Sequence, residues 1–357
     1  MRKILPLALL LILLCPARGT AASFEDDAHI YQLYEENGSL MTQIAQRVYP
    51  GDEYISEGDR LYEIIEVDDT KRRAVAKDMG AEPQDAAYVS ADKSRESAKK
   101  LICMYSTHSD ESYIEGDGAQ SKSKNAGIYD VGDALKAHLE QKGWAVEYSK
   151  RTSLPHDAGA YRRSRAIAAE LAKRQPKALL DIHRDGIPDP ESYETTVDGD
   201  EMTKVRLFVG KNNPNAAQNR ALAKRIKSHA DSRYKGLIKD IFIGKGNYNQ
   251  ELYPNSLLLE LGTHTSDKDK VKKSTALLAD VLNNVLSGTA HAEGSDADPR
   301  PALSGVLTLI VVLTIGGLIF ALAQTGTLKH IGDKLGRGIS ELSGGLIGKH
   351  SDHRHKE

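Results

Sequence analysis

Three kinds of pattern follow one another along the chain. From residue 23 to about 95, apolar and polar positions alternate over short runs. Gly51–Ser56 and Asp59–Val67 read as strands joined by a polar turn, with Thr70–Ala76 as a partner for the second. This predicts a small β-rich region, closed by a polar linker over Asp85–Lys99. From residue 96 to 287 the period switches back and forth. Leu101–Tyr105, Trp144–Tyr148, Ala178–Ile182, Val205–Val209, Asp240–Ile243 and Ser256–Leu261 are short apolar runs of strand type. Between them lie helical spacings. Ile128, Val131, Leu135 and Leu139 share one face before Gly143 stops the helix. Tyr161–Arg174 turns Ile167, Ala168 and Leu171 inward, and Asn215–Tyr234 does the same with Leu222, Ile226 and Ala230. Ser266–Leu286 aligns Leu278, Val281, Leu282 and Val285. Strands alternating with helices predict an α/β domain, its sheet mostly parallel with helices on both faces.

The third pattern is apolar throughout. Residues 304–324 carry no charge, and about 20 apolar residues suffice for a transmembrane helix. An acidic spacer, 288–303, precedes the span, and a basic tail with Lys329, Lys334 and Arg337, 325–357, follows it. The excess of Lys and Arg places the tail in the cytoplasm and the α/β domain outside a single-pass cell membrane protein. Residues 1–22 hold Arg2 and Lys3, an apolar run from Ile4 to Cys15, and small residues around Ala21. That is the order of a secretory signal peptide, too short to span a bilayer comfortably.

Composition narrows the function. The 357 residues hold 48 Lys+Arg against 50 Asp+Glu, so the basic excess of a nucleic-acid binder is absent. Two cysteines, Cys15 and Cys103, cannot build a disulfide framework or a thiolate zinc site. Any metal site must use His, Asp and Glu.

Three strand ends carry such residues: Ser106–Tyr113, Asp181–Asp185 and Glu260–Thr265. Sites in open α/β sheets gather at the carboxyl ends of strands. His108 and Glu111 form a His-x-x-Glu pair on a loop after a strand, and His183 is the natural third ligand for a zinc ion. Three protein ligands leave a position for water, which marks a catalytic site. Asp110, Asp181 and Asp185 are local candidates to orient the ligand histidines. Glu260, near the end of an apolar strand, is a candidate general base, and Arg184 a candidate to stabilise an oxyanion or grip a substrate carboxylate. Simpler roles stay open. His183 with Asp181, or Glu260 with Arg184, could be purely structural pairs. His264 reads as a substrate contact or a partner to a ligand, and His156-Asp157 as a helix cap or an alternative metal ligand.

Met104–Tyr113, Tyr161–Arg165, Asp181–Asp185, Val209–Asn215 and Leu258–Gly262 together resemble the stage II sporulation protein P (SpoIIP) family, over about residues 40 to 287. The resemblance implies a zinc N-acetylmuramoyl-L-alanine amidase-like fold and activity on peptidoglycan stem peptides, with cross-link endopeptidase action beside it. It implies zinc on His108 and His183, a catalytic Glu260, and partners like the lytic transglycosylase SpoIID and the membrane protein SpoIIM. Glu111 as carboxylate ligand rests on its spacing and on likeness to His-x-x-Glu carboxypeptidases. The long apolar span is C-terminal here, where the family's anchor is N-terminal. Two competing expectations are a zinc carboxypeptidase or endopeptidase confined to peptide bonds, and a peptidoglycan-binding module without catalysis.

Overall fold

Period-two alternation near the amino end becomes five strands in the computed structural model, which describes residues 30–82, 100–157 and 159–288. They are β1 (Tyr31–Glu35), β2 (Leu40–Ile44), β3 (Glu53–Ile55), β4 (Arg60–Asp68) and β5 (Arg73–Ala81). Tyr31, Leu33, Ile44, Tyr54, Tyr62, Ile64, Ala74 and Ala76 are buried. The residues between them are mostly half-buried or exposed, as strands with one covered face require. β4 and β5 pair as an antiparallel hairpin, the partnership expected for Thr70–Ala76.

The second pattern yields β6 (Leu101–Tyr105), a short turn of helix α1 (Ile114–Asp117), α2 (Gly127–Gln141), β7 (Ala145–Tyr148), α3 (Ala160–Ala172) and β8 (Ala178–Asp185). A hairpin of β9 (Glu194–Val197) and β10 (Asp200–Thr203) follows. Then come β11 (Val205–Gly210), α4 (Ala216–Arg233), β12 (Ile238–Gly244), β13 (Ser256–Thr263) and α5 (Lys268–Ser287). The inward positions expected for α2 and α5 are all buried, and Gly143, at φ 79°, turns the chain out of α2.

One sheet of 11 strands results, in the order β2-β1-β5-β4-β3-β12-β11-β13-β8-β6-β7. It is mixed, which corrects the expectation of a mostly parallel sheet. β7, β6, β8 and β13 do run parallel. β11 runs antiparallel to β13, and β12 follows β11. The connections explain the reversal. Between β8 and β11 the chain makes only a 3₁₀ turn and the β9–β10 hairpin, so β11 starts at the end of the sheet where β8 finished. A parallel return needs a longer crossover, usually a helix. The helix α4 supplies one between β11 and β12, whereas only a single 3₁₀ turn separates β12 from β13. The expected small β region is continuous with this sheet, because β3 pairs antiparallel with β12, Tyr54 opposite Phe242.

The two faces of the sheet are covered differently. Ile102, Met104, Leu180, Ile182, Leu207, Leu259 and Leu261 pack against α2, α4 and α5. On the opposite face, Phe208, Phe242 and Leu258 lie under the amino-terminal strands, and Cys103, Tyr105 and Leu179 lie under α3. Strand periodicity therefore sends Asp181, His183 and Asp185 of β8, Glu260 of β13, Arg206 of β11 and Asp240 of β12 to that second face. Among the described residues no helix is long and apolar enough to cross a membrane. The signal segment 1–22, the linker Asp85–Lys99, the spacer 288–303 beyond Gly288, the span 304–324 and the tail 325–357 lie outside the described residues.

Candidate metal centre

The site begins where β6 ends. Thr107 donates its backbone N–H and its hydroxyl to the Asp181 carboxylate, at 2.8 and 2.6 Å, tying the end of β6 to β8. The next residues turn back, with Glu111 N–H donating to His108 O at 3.2 Å. This turn brings the two side chains of the His-x-x-Glu pair together, His108 Nδ1 lying 3.1 Å from Glu111 Oε1. From β8, His183 Nδ1 approaches the same oxygen at 3.2 Å. The other oxygen, Oε2, accepts the Arg184 backbone N–H at 3.0 Å, which fixes the carboxylate plane.

Ligand atoms of His108, Glu111 and His183 all lie within 4.8 Å of one another. Two ligands about 2.0–2.1 Å from a tetrahedral zinc stand about 3.3 Å apart. The separations of 3.1 and 3.2 Å to Glu111 are close to that value. The donor set, two imidazoles and one carboxylate, is that of catalytic zinc sites. These residues fit a zinc ion.

The charges agree with that reading. Burial pushes the Glu111 carboxyl up, but His183, His108 and Arg184 outweigh it and hold it well below the usual range. Burial pulls His108 down, and this effect prevails, favouring the neutral imidazole that binds metal. Burial also pulls His183 down, yet Asp181 and Glu111 win and raise it well above 6.5. A dication at the cluster would reverse that proton's preference. His183 Nε2 lies 3.0 Å from Asp181 Oδ1 but outside hydrogen-bonding geometry, so that contact is electrostatic.

Glu260 sits opposite His183 in the register of β13 and β8. Its Oε2 is buried with no hydrogen-bond partner. Burial first, then the charge of Asp185, lifts its carboxyl well above the usual range. A buried polar atom left unpaired is rare enough to require an explanation, and a reacting group is one.

Arg184 follows His183 on β8. Residue 184 alternates to the face of the sheet away from His183. Its guanidinium donates to the carbonyls of Ser112 at 3.1 Å and Gln120 at 2.7 Å. It braces the loop that carries Glu111 and does not face Glu260. The arginine on the site's own face is Arg206, whose Cα pairs with that of Glu260. Its guanidinium is fully buried and donates to Asp240, Asp185, Thr42 Oγ1 and Gln43 O at 2.6–2.9 Å. Arg206 and Asp240 do not stand at the carboxyl ends of their strands, where the other site residues are conspicuous. Their strands run the other way. The usable signal was a charged residue inside each of two apolar strands.

The other candidates take supporting places. Asp110 accepts from Ser121 at 2.6 Å and lies 3.1 Å from His156 Nδ1. The His156 ring stacks on His108 with centroids 3.9 Å apart, so it flanks a ligand and is not grouped with the ligands. Asp185 is held by Tyr193 and Arg206 at 2.7 and 2.8 Å. His264 is buried behind it, its N–H on Asp185 O at 3.1 Å.

A family profile for stage II sporulation protein P matches residues 27–283, most of the chain. The chain belongs to the stage II sporulation protein P family. The match contains every residue of the metal cluster and Glu260. The stage II sporulation protein P of Bacillus subtilis (strain 168) is 26% identical over 207 residues, covering 52% of this chain and 51% of that protein. The chain thus spans about half the length of the curated relative it matches. Among solved structures, the N-acetylmuramoyl-L-alanine amidase AmiC2 of Nostoc punctiforme overlaps 53% of this chain and 97% of its own, at TM-score 0.34 and 12% identity. The CwlD amidase of Clostridioides difficile, in complex with the GerS lipoprotein, overlaps 54% and 99%, at TM-score 0.36 and 11% identity.

Proposed function

We propose that the chain is a zinc-dependent peptidoglycan hydrolase, an N-acetylmuramoyl-L-alanine amidase with cross-link endopeptidase action beside it, working in the wall remodelling of sporulation. The observation that carries this reading is the convergence of His108 Nδ1, His183 Nδ1 and Glu111 Oε1 next to a buried Glu260 oxygen without a partner. Zinc, held by that trio, would supply a Lewis acid and lower the pKa of a bound water.

The remaining work belongs to the chain's own side chains. Glu260 takes the proton of the attacking water and returns it to the leaving amine. Asp181 holds the far side of His183, and Thr107 holds Asp181. Arg184 acts as a positioning residue through Glu111. In this reading the hydrolase domain lies outside the cell membrane, tethered by 304–324, with proteins like SpoIID and SpoIIM as partners.

The test is elemental analysis of purified protein, wild type against His183→Ala, with digestion of purified wall alongside. About one zinc per chain, lost together with digestion in the variant, is the expected result. Mass spectrometry of the products separates free stem peptides, which an amidase releases, from shortened cross-linked peptides alone, which would restrict the activity to peptide bonds. A folded wild type with neither zinc nor digestion after zinc is added overturns the reading.

A further inference from the structure

Beside the ligand histidines lies a pair of half-buried tyrosines that the chemistry above does not use. The Tyr161 ring is edge-on to His108, with centroids 5.5 Å apart, and parallel to His183 at 6.4 Å and 14°. Tyr248 packs edge-on against Tyr161 at 5.6 Å. Its hydroxyl donates to Gln46 Oε1 at 3.0 Å, so the row of rings ends on a side-chain amide from the β2–β3 loop.

Considerable local structure is devoted to placing that ring. Tyr248 and Asn249 both adopt left-handed backbone conformations, φ 49° and 56°, which non-glycine residues seldom occupy. A Cβ on Gly246 would lie 2.6 Å from the Tyr248 ring, and one on Gly210 would lie 2.5 Å from Gly246 O. Asn249 Nδ2 then donates to Tyr161 O and Ser164 Oγ at 3.1 and 3.0 Å, locking the turn to α3. Among the described residues the Gln46 Nε2 group makes no hydrogen bond.

We propose that Tyr161, Tyr248 and the Gln46 amide form a subsite for the N-acetylated sugar ring on the glycan side of the scissile amide. Half-exposed tyrosines offer flat apolar area together with a polar edge. An amide donor beside them matches the carbonyl of an acetamido group. Small-molecule sites have this composition, aromatic walls with few placed polar groups. The acetamido group of an N-acetylmuramoyl ring is on the carbon next to the one bearing the lactyl arm, so the sugar and the scissile amide are close neighbours. The proposal rests on the amidase reading. It gives the amino-terminal strands a part in substrate choice through Gln46.

Isothermal titration of the full-length protein in detergent with N-acetylglucosaminyl-N-acetylmuramic acid tests it without turnover. Tyr248→Leu is expected to weaken that disaccharide about tenfold, and Gln46→Leu about fivefold. The ratio of kcat/KM for a disaccharide-peptide over the matching lactyl-peptide is expected to fall in step. Gln46 is half-exposed, so its variant decides the matter if Tyr248→Leu does not fold. Absence of disaccharide binding by wild type overturns the subsite, as do folded variants with unaltered affinity. A loss confined to free stem peptide overturns it in favour of a peptide-side wall. If wild type cleaves neither substrate, the amidase reading fails, and the disaccharide titration still decides the subsite.

Discussion

Asp181 Oδ1 lies 2.8 Å from the Thr107 N–H and 3.0 Å from His183 Nε2, so one carboxylate oxygen joins the end of β6 to a candidate ligand histidine on β8. Thr107 Oγ1 bonds Ser164 of α3 at 2.8 Å, which extends the brace to a third element. Carboxylates behind ligand histidines set ring orientation and ligand basicity, and their loss costs about 10–100-fold in metal affinity. Asp181→Asn keeps the shape and removes the charge. It is expected to weaken zinc by that factor in a chelator competition, with the fold retained by circular dichroism. Unaltered affinity would reduce Asp181 to a structural hydrogen-bond acceptor.

Glu260 separates holding metal from using it. Its Oε2 makes no hydrogen bond, and it is not among the three convergent ligands. Glu260→Gln is therefore expected to keep about one zinc per chain while kcat falls about 10²–10⁴-fold, the usual worth of a proton-transfer group. His108→Ala is expected to lose both. Zinc lost from Glu260→Gln would show that this carboxylate is a ligand.

Much of this site was legible in the sequence, for a definite reason. His108, Glu111, His183 and Glu260 stand at strand ends that the apolar runs marked, and polar groups at such positions are conspicuous. The place of Arg184 is less legible, because adjacency in sequence does not imply adjacency in a site. In a strand, neighbouring side chains point to opposite faces, so Arg184 and His183 cannot share one. The mixed sheet was hidden in a different way. An apolar run such as Val205–Val209 carries no sign of its direction, which the length of the connection before it decides. Residues 186–204 hold a 3₁₀ turn and a hairpin instead of a long helix, and that reversal brought the starts of β11 and β12, with Arg206 and Asp240, to the site's end of the sheet.

Arg206 and Asp240 carry a pH prediction. Burial pushes the Asp240 carboxyl up, but Arg206 outweighs burial and holds it below 3.8. A depressed folded-state value stabilises the fold above the unfolded value, about pH 4, and the contribution disappears as pH falls through the folded value. Removing the cation reverses the sign, because burial then dominates. Arg206→Met is expected to move the acid-unfolding midpoint to higher pH. At neutral pH it is expected to cost about 3–5 kcal/mol in denaturant, the usual result of stranding a buried charge. An unaltered acid midpoint would show that Asp240 is satisfied by Tyr54 and Lys239 alone.

Zinc binding should also register in stability, since an ion that binds only the folded chain stabilises it by mass action. Free zinc at 100 times its dissociation constant contributes about 2.7 kcal/mol. Chelation is expected to lower the melting temperature of wild type and to leave His183→Ala in place. Leu278→Ala on α5 serves as the comparison. Leu278 is fully buried in the core on the opposite face of the sheet, and its truncation is expected to cost about 2–5 kcal/mol. Its effect and that of chelation should add, because well-separated sites without shared partners behave independently. A Leu278→Ala variant that no longer responds to chelation would mean that the helical face and the metal cluster are coupled through the sheet.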